Sequence, residues 1–237
     1  MGARADSGAS RSRALAYLRL SRVSNLPTVW SNVLAGIVVA GSPVVSNEVV
    51  RLRSAVSLMY IGGMFLNDAF DVPFDSMHRR DRPIVIGVVT RGEVFAIGFL
   101  LLAVGVLTLE WSRATIWGLA LAGAIVFYDW QHKQNVLGPF VMGGCRGLVY
   151  CVAASATGGI GPRVTVAAIL LTLYVVALTW IAKMVRQRAG VLIPLLVAGI
   201  SLVDAVVILV AGGGALALIA AAAFVATLAL QRVVAGT

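Results

Sequence analysis

Residues 94–129 read VFAIGFLLLAVGVLTLEWSRATIWGLALAGAIVFYD. Two apolar runs, 94–110 and 113–129, are separated only by the short stretch from Glu110 to Arg113. Each approaches the roughly 20 residues that a helix needs to cross a bilayer core. A connection this short folds the two runs back on one another as antiparallel neighbours. Neither run shows the alternating ten-residue pattern of a membrane barrel. Lipid offers no partner to backbone N–H and C=O groups, so each run must satisfy its own as a helix.

The same pattern extends outward in both directions. Apolar segments fall at 26–45, 49–67, 94–110, 113–129, 139–158, 164–182, 191–211 and 214–231, the last two separated by a Gly-rich turn at Gly212–Gly214. The expected fold is an all-α polytopic transmembrane bundle of eight to nine spans. It forms one domain over 26–237, preceded by a cytoplasmic leader over 1–25. Composition agrees. Of 237 residues, 59% are hydrophobic and 12% charged, against about 25% charged in a soluble domain, and mean hydropathy is +0.94. This excludes an ordinary soluble enzyme, a disordered chain and a nucleic-acid-binding domain. Cys145 and Cys151 share one apolar run and read as buried thiols rather than a disulfide framework.

Basic residues set the orientation. With the N-terminus in the cytoplasm, Arg51, Arg53, Arg113 and Arg163 fall outside, and the other 15 of the 19 lysines and arginines fall inside. That bias obeys the positive-inside rule and places the protein in the cell (inner) membrane, with any site between spans two and three facing the cytoplasm. Residues 11–24, RSRALAYLRLSRVS, read either as a short amphipathic helix on the anionic leaflet or as a solvated leader.

The polar residues gather at that face. Asn67-Asp68-Ala-Phe-Asp71-Val-Pro73-Phe-Asp75 precedes Arg79, Arg80 and Arg82. Aspartates spaced three and four apart share one face of a helix, where like charges repel. A divalent cation between them resolves the repulsion, and hard carboxylate oxygens suit Mg²⁺, which also takes phosphate oxygens. Arginine forks match phosphate, so Arg79 and Arg82 read as ligands of a metal-bound diphosphate. Pro73 is expected to weaken or kink the helix before Asp75.

A second polar group spans Tyr128-Asp129-Trp-Gln-His132-Lys133 and continues to Gly144-Cys145-Arg146-Gly147. Arg146 lies several residues into an apolar run and needs an anionic partner. It reads as a diphosphate ligand or as a snorkelling residue, and Lys133 as a diphosphate ligand or a solvated loop charge. Asp204 sits midway through the seventh segment. It must face the bundle interior, where it orients an acceptor, removes a proton or pairs with Arg146.

This constellation resembles the UbiA superfamily of intramembrane prenyltransferases over nearly the whole chain. The resemblance begins at Asn25-Leu-Pro-Thr28 with Ser31-Asn32. It is strongest at Asn67-Asp68-x-x-Asp71-x-x-x-Asp75 with Arg82-Pro83, and continues through Tyr128 and Lys133. The Tyr-Asp-x-x-His-Lys and Gly-Cys-Arg runs are most similar to the small EboC-like branch. The resemblance implies a bundle of about nine helices around a cavity open to the cytoplasm. It implies an isoprenyl diphosphate bound through Mg²⁺, ionised, and joined to an acceptor. Asn67, Asp68 and Asp71 would hold the metal with Asp75 beside them. Asp68 and Asp71 would thereby act catalytically with Lys133, which stands for the lysine of the family's Tyr…Lys-Arg loop. Tyr128 and Asn32 would line the substrate cavity, and Arg146 would replace the arginine that is Gln134 here.

The family's second aspartate motif is missing from residues 180–190, which hold Lys183, Arg186 and Arg188 but no acid. Lys183 and Arg186 then either neutralise the leaving diphosphate in place of a second metal or serve only as positive-inside charge. The reading is a Mg²⁺-dependent membrane prenyltransferase with an isoprenyl diphosphate donor, an unidentified small acceptor, membrane lipid as surroundings and no nucleic acid. The alternatives are a membrane terpene cyclase of the same superfamily and a catalytically silent binding or scaffold protein. Oligomeric state is open.

Overall fold

The computed structural model describes residues 2–44, 46–110, 112–131, 136–185 and 190–234, with side chains from Ser12 onward, Ser46 excepted. Those residues form α1 (Gly2–Ser21), a 3₁₀ turn (Val23–Asn25), α2 (Leu26–Val39), α3 (Ser46–His78), α4 (Arg91–Leu107) and α5 (Arg113–Gln131). They continue as α6 (Gly138–Thr157), α7 (Pro162–Val185), α8 (Leu192–Ala198), α9 (Ile200–Val210) and α10 (Ala215–Gln231). No strand occurs among the described residues. Residues 47–78 of α3, α6, α7 and the joined stretch 192–210 are long and apolar enough to cross a membrane.

α2 is the hub. Val29, Val33 and Ile37 pack into one core with α3, α5 and α6 residues. Leu34, Ala35 and Val39 pack into a second with α6, α7, α9 and α10 residues. A helix buried on both faces must be apolar all round, and α2 is, apart from Thr28, Ser31 and Asn32. The segment expected to run to residue 45 stops at Val39. Gly41 adopts φ 73°, its N–H bonds Val38 O, and Ser42 N–H bonds Ile37 O. This is the Schellman stop, which glycine adopts without strain.

α3 is longer than expected. Its 33 residues span about 50 Å, more than the roughly 30 Å of hydrocarbon that a span must cross. Pro73 does not end it. Proline cannot donate to the carbonyl four residues back, here Ala69 O, and Arg91 Nε donates to that oxygen instead at 2.9 Å. Asp75 therefore stays on the face of Asp68.

α1 docks on α3. Ala16 and Leu20 are buried with Phe65, Ala69, Val89 and Val94, and the Tyr17 ring stacks on Phe65 at 6.0 Å. Leu15 and Leu18 face outward. Arg13 and the Tyr17 hydroxyl both donate to Glu93, which also completes the Thr90 capping box of α4.

One end of the bundle is tied by side chains across it. Gln231 at the end of α10 donates to Asn25 before α2, Arg22 to Asp68 on α3, and Asn67 to Asp129 on α5. At the opposite end Arg51 bridges Glu48 and Glu110, both at 2.6 Å. Large apolar side chains such as Phe99, Leu119, Leu173, Leu209 and Leu218 are exposed on the flanks, as lipid-facing surface requires.

Candidate active site

The centre at the tied end is built on α3. Asp68 and Asp75, seven residues apart, are both buried, and Asp71 between them is half-buried. Arg22 joins α1 to the 3₁₀ turn in the left-handed conformation, φ 45° and ψ 41°, which a residue with a Cβ adopts at a cost. Its Nη2 donates to Asp68 Oδ1 at 3.0 Å. Arg82 follows the end of α3 and lies between two carboxylates. Its Nη1 is 3.8 Å from Asp68 Oδ2 and its Nε 3.9 Å from Asp75 Oδ2. Both distances are ionic contacts beyond hydrogen-bonding range. Asp68 Oδ2 is buried and accepts no hydrogen bond among the described residues. Asn67 Nδ2 donates to Asp129 Oδ1 at 3.1 Å, joining the motif to the end of α5.

Behind this centre lies a narrow cavity of about 80 Å³. Tyr128, Asp129, Cys145, Arg146 and Tyr60 supply its polar lining, with Val29, Met64, Leu121 and Val149 among the apolar walls. Arg146 lies over the Tyr60 ring, 5.7 Å from its centroid, and its Nη1 donates to Asn32 Oδ1 at 2.9 Å. The Asn32 amide nitrogen in turn faces both Asp204 oxygens, at 2.9 and 2.8 Å. Tyr150 donates to Asp204 Oδ1 at 2.6 Å, and Ser31 donates to Oδ2. Asp204 is fully buried with both oxygens engaged and is not among the cavity's lining residues. The direct Asp204–Arg146 pair held open by the sequence is replaced by a bridge through Asn32. Asp204 reaches the cavity through Asn32 and Arg146, not as a group exposed in it.

The structure thus gathers Asn67, Asp68, Asp75 and Arg82 in one cluster, and Asn32, Arg146 and Asp204 in another. Tyr128 lines the cavity between them. Arg79 is exposed, its backbone N–H capping Asp75 O at 2.7 Å. Lys183 is exposed, its ammonium 5.8 Å from the Trp180 ring centroid, and no described hydrogen bond or ion pair ties it to Asp68. Lys133 and Arg186 lie outside the described residues. Among the described residues no group of three His, Cys, Asp or Glu side chains converges as a ready metal cage. Cys145 and Cys151 are both free thiols.

Sequence reasoning missed Arg22, which sits 46 residues from its partner with no local signal. It also missed Tyr60 and Tyr150. Tyr150 lies one turn beyond Arg146 on α6, so it had a usable signal in the i, i+4 spacing.

Outside the apolar segments, the clamp on the leader shifts two groups. The Tyr17 hydroxyl, aided by Thr90 N–H and Arg13, holds the Glu93 carboxyl below its usual range. Burial, then the bond to Glu93, pushes the Tyr17 phenol up.

A helical membrane bundle with a charged centre at one end and a cavity behind it defines the class of protein. Two solved structures share this fold. One comes from work on digeranylgeranylglyceryl phosphate synthase in membranes, with TM-score 0.60 and 19% identity over 93% of this chain and 88% of that one. The other is the apo structure of a UbiA homolog from Aeropyrum pernix, with TM-score 0.60 and 16% identity over 90% and 94%. The chain belongs to the UbiA prenyltransferase family, whose sequence model matches residues 26–235. It is similar to the digeranylgeranylglyceryl phosphate synthases of Methanopyrus kandleri, 30% identical over 55% of this chain and 50% of the relative, and Thermococcus kodakarensis, 29% identical over 64% and 56%. The chain thus spans about half the length of these curated relatives.

Proposed function

We propose that this chain is a Mg²⁺-dependent membrane prenyltransferase that ionises an allylic isoprenyl diphosphate and transfers the prenyl group to a small acceptor. The observation that carries the reading is Asp68, buried in the last third of α3, its Oδ2 without a hydrogen bond among the described residues and arginines on either side. A buried carboxylate oxygen left so is costly unless a ligand completes it. Asp68, Asp71 and Asp75 share a helical face and present hard oxygens, and Mg²⁺ commonly needs only one or two carboxylates beside phosphate oxygens. The donor set therefore fits the metal, which Asn67, Asp68 and Asp71 would hold with Asp75 beside them. When bound, it draws negative charge from the leaving diphosphate.

The chain's own residues do the rest. Arg22 and Arg82 neutralise the carboxylates and offer forks to diphosphate oxygens. Lys133, Lys183, Arg79 and Arg186 add positive charge at the same face. Asp129 fixes the Asn67 amide. Val29, Leu121 and Val149 keep water from the allylic cation, and the Tyr128 ring faces it. The site opens to the cytoplasm, with the leader over 1–25 and one prenyltransferase-like domain over 26–237. The similarity to digeranylgeranylglyceryl phosphate synthases supports a lipid-soluble donor, since the product those enzymes are named for carries geranylgeranyl chains.

The test is equilibrium binding of labelled farnesyl and geranylgeranyl diphosphate to purified protein in nanodiscs. Binding is expected with Mg²⁺ and is expected to weaken at least about tenfold with EDTA or in Asp68→Asn. Equal binding with and without metal contradicts the site.

A further inference from the structure

A groove of about 550 Å³ runs between α7 and α9 at the end of the bundle opposite the candidate centre. Its place is fixed by Val39, the last residue of α2, which starts at the tied end. Val39 and Ala167 are buried and form the floor, while Val166, Leu170 and Val206 form exposed walls. Every residue lining the groove is apolar except Arg163, in the first turn of α7. Among the described residues the Arg163 guanidinium makes no hydrogen bond and no ion pair. Residues 130–237 hold a single acid, Asp204, which is fully buried and engaged by Ser31, Asn32 and Tyr150. Glu48 and Glu110, at the same end of the bundle as Arg163, are both held by Arg51. The groove is thus an apolar trough with one unpaired cation at its mouth.

Depth decides which anion belongs there. From Arg163 to Lys183, α7 rises about 30 Å, the thickness of the hydrocarbon core. Arg163 therefore stands at the head-group level of one leaflet when Lys183 stands at that of the other, and a diphosphate at Asp68 does not reach it. From Arg163 the groove descends along α7 through Val166 to Leu170, about 10 Å, which stays within one leaflet's half of the core. The cation is at the outer end and the apolar wall runs toward the midplane. That is the polarity of a phospholipid lying in its own leaflet, phosphate outward and acyl chain inward. No acid stands beside Arg163 to receive a head-group ammonium, so a net negative head group suits the mouth better than a zwitterionic one.

We propose that the α7–α9 groove is a binding site for an anionic phospholipid of the leaflet opposite the candidate centre, its phosphate at Arg163 and the upper part of one acyl chain between Val166, Leu170 and Val206. The site is separate from the proposed chemistry and does not depend on it. The lipid fills the space that α7 and α9 leave between them and so braces α9, the helix that carries Asp204.

The test uses the full chain in nanodiscs of phosphatidylglycerol and phosphatidylcholine in equal amounts. A photo-crosslinking residue, p-benzoylphenylalanine, replaces Ile169, which is exposed beside the groove without lining it. After illumination the mass of the adduct identifies the lipid. Contact with bulk bilayer gives the two lipids equally, whereas the site is expected to enrich phosphatidylglycerol about fivefold, the gain of one arginine beside an anionic lipid. Arg163→Gln is expected to return the ratio to that of the bilayer, and Arg163→Lys to keep most of the enrichment. Val206→Trp, a change at an exposed wall position, leaves the cation in place but fills the trough, and is expected to remove the enrichment as well. Equal adducts in the unsubstituted background overturn the proposal. So does enrichment that survives Arg163→Gln, since the charge then comes from elsewhere, or that survives Val206→Trp, since the groove then plays no part. Crosslinks to a second copy of the chain in place of lipid also overturn it and assign the groove to self-association.

Discussion

Among the described residues Asp68 leaves one carboxylate oxygen without a hydrogen bond, whereas Asp204 engages both. The two aspartates should therefore respond differently to mutation. Asp68→Asn keeps the side chain's size and an oxygen to accept from Arg22, so the protein should still fold and lose turnover. Asp204→Ala strands the Asn32 amide nitrogen and the Tyr150 hydroxyl in the interior, each at about 1–3 kcal/mol. It should lower the melting temperature in detergent well below that of Asp68→Asn. Matching melting temperatures for the two variants would contradict the division. The residues also differ in how legible they were. Asp68 announced itself through its neighbours at three and seven residues. The Asp204 partners lie 54 to 173 residues away in sequence, so only folding reveals them.

At the scale of the element, α3 survives Pro73 because Arg91 takes the carbonyl that the proline leaves open. This coupling is measurable. Arg91→Ala should cost about 1–2 kcal/mol in the wild type and distinctly less in Pro73→Ala, where the new N–H reaches Ala69 O itself. Equal costs in both backgrounds would contradict the coupling. Helix contacts give a second test. A Cβ on Gly147 would meet Thr172 Oγ1 at 2.6 Å and Ala168 O at 3.1 Å, so Gly147→Val should push α6 from α7 and lower thermal stability. A variant with wild-type stability would show that the two helices yield there. The apolar runs placed most elements because the bilayer makes hydropathy the dominant signal. The exceptions are instructive. α2 ends early through backbone geometry at Gly41, and α3 runs on through a distant arginine. The basic segments holding Lys133 and Arg186 lie outside the described residues, so their place at the site rests on sequence alone.

At the scale of the whole molecule, α1 is tied to the candidate centre. α1 is clamped to the start of α4 through Glu93, and the residue after α1 is Arg22, the partner of Asp68. The Glu93 carboxyl is depressed in the folded state, mainly by the Tyr17 hydroxyl. A depressed acid stabilises docking above its ordinary value of 4.5, and that contribution disappears as pH falls below this through the depressed value. Amide exchange in α1, corrected for intrinsic rate, should lose protection as pH falls below 4.5 and should be insensitive to pH from 5 to 7. Protection unchanged down to strongly acid pH would contradict the clamp. The central claim is that the α3 centre ionises an isoprenyl diphosphate. Its most direct test is diphosphate release from labelled geranyl, farnesyl and geranylgeranyl diphosphates by purified protein, with Mg²⁺ or EDTA, and with or without a cell extract as acceptor source. The account predicts release that requires both Mg²⁺ and extract and disappears in Asp68→Asn. Release without extract that yields a cyclic product, or no release under any condition, would contradict it.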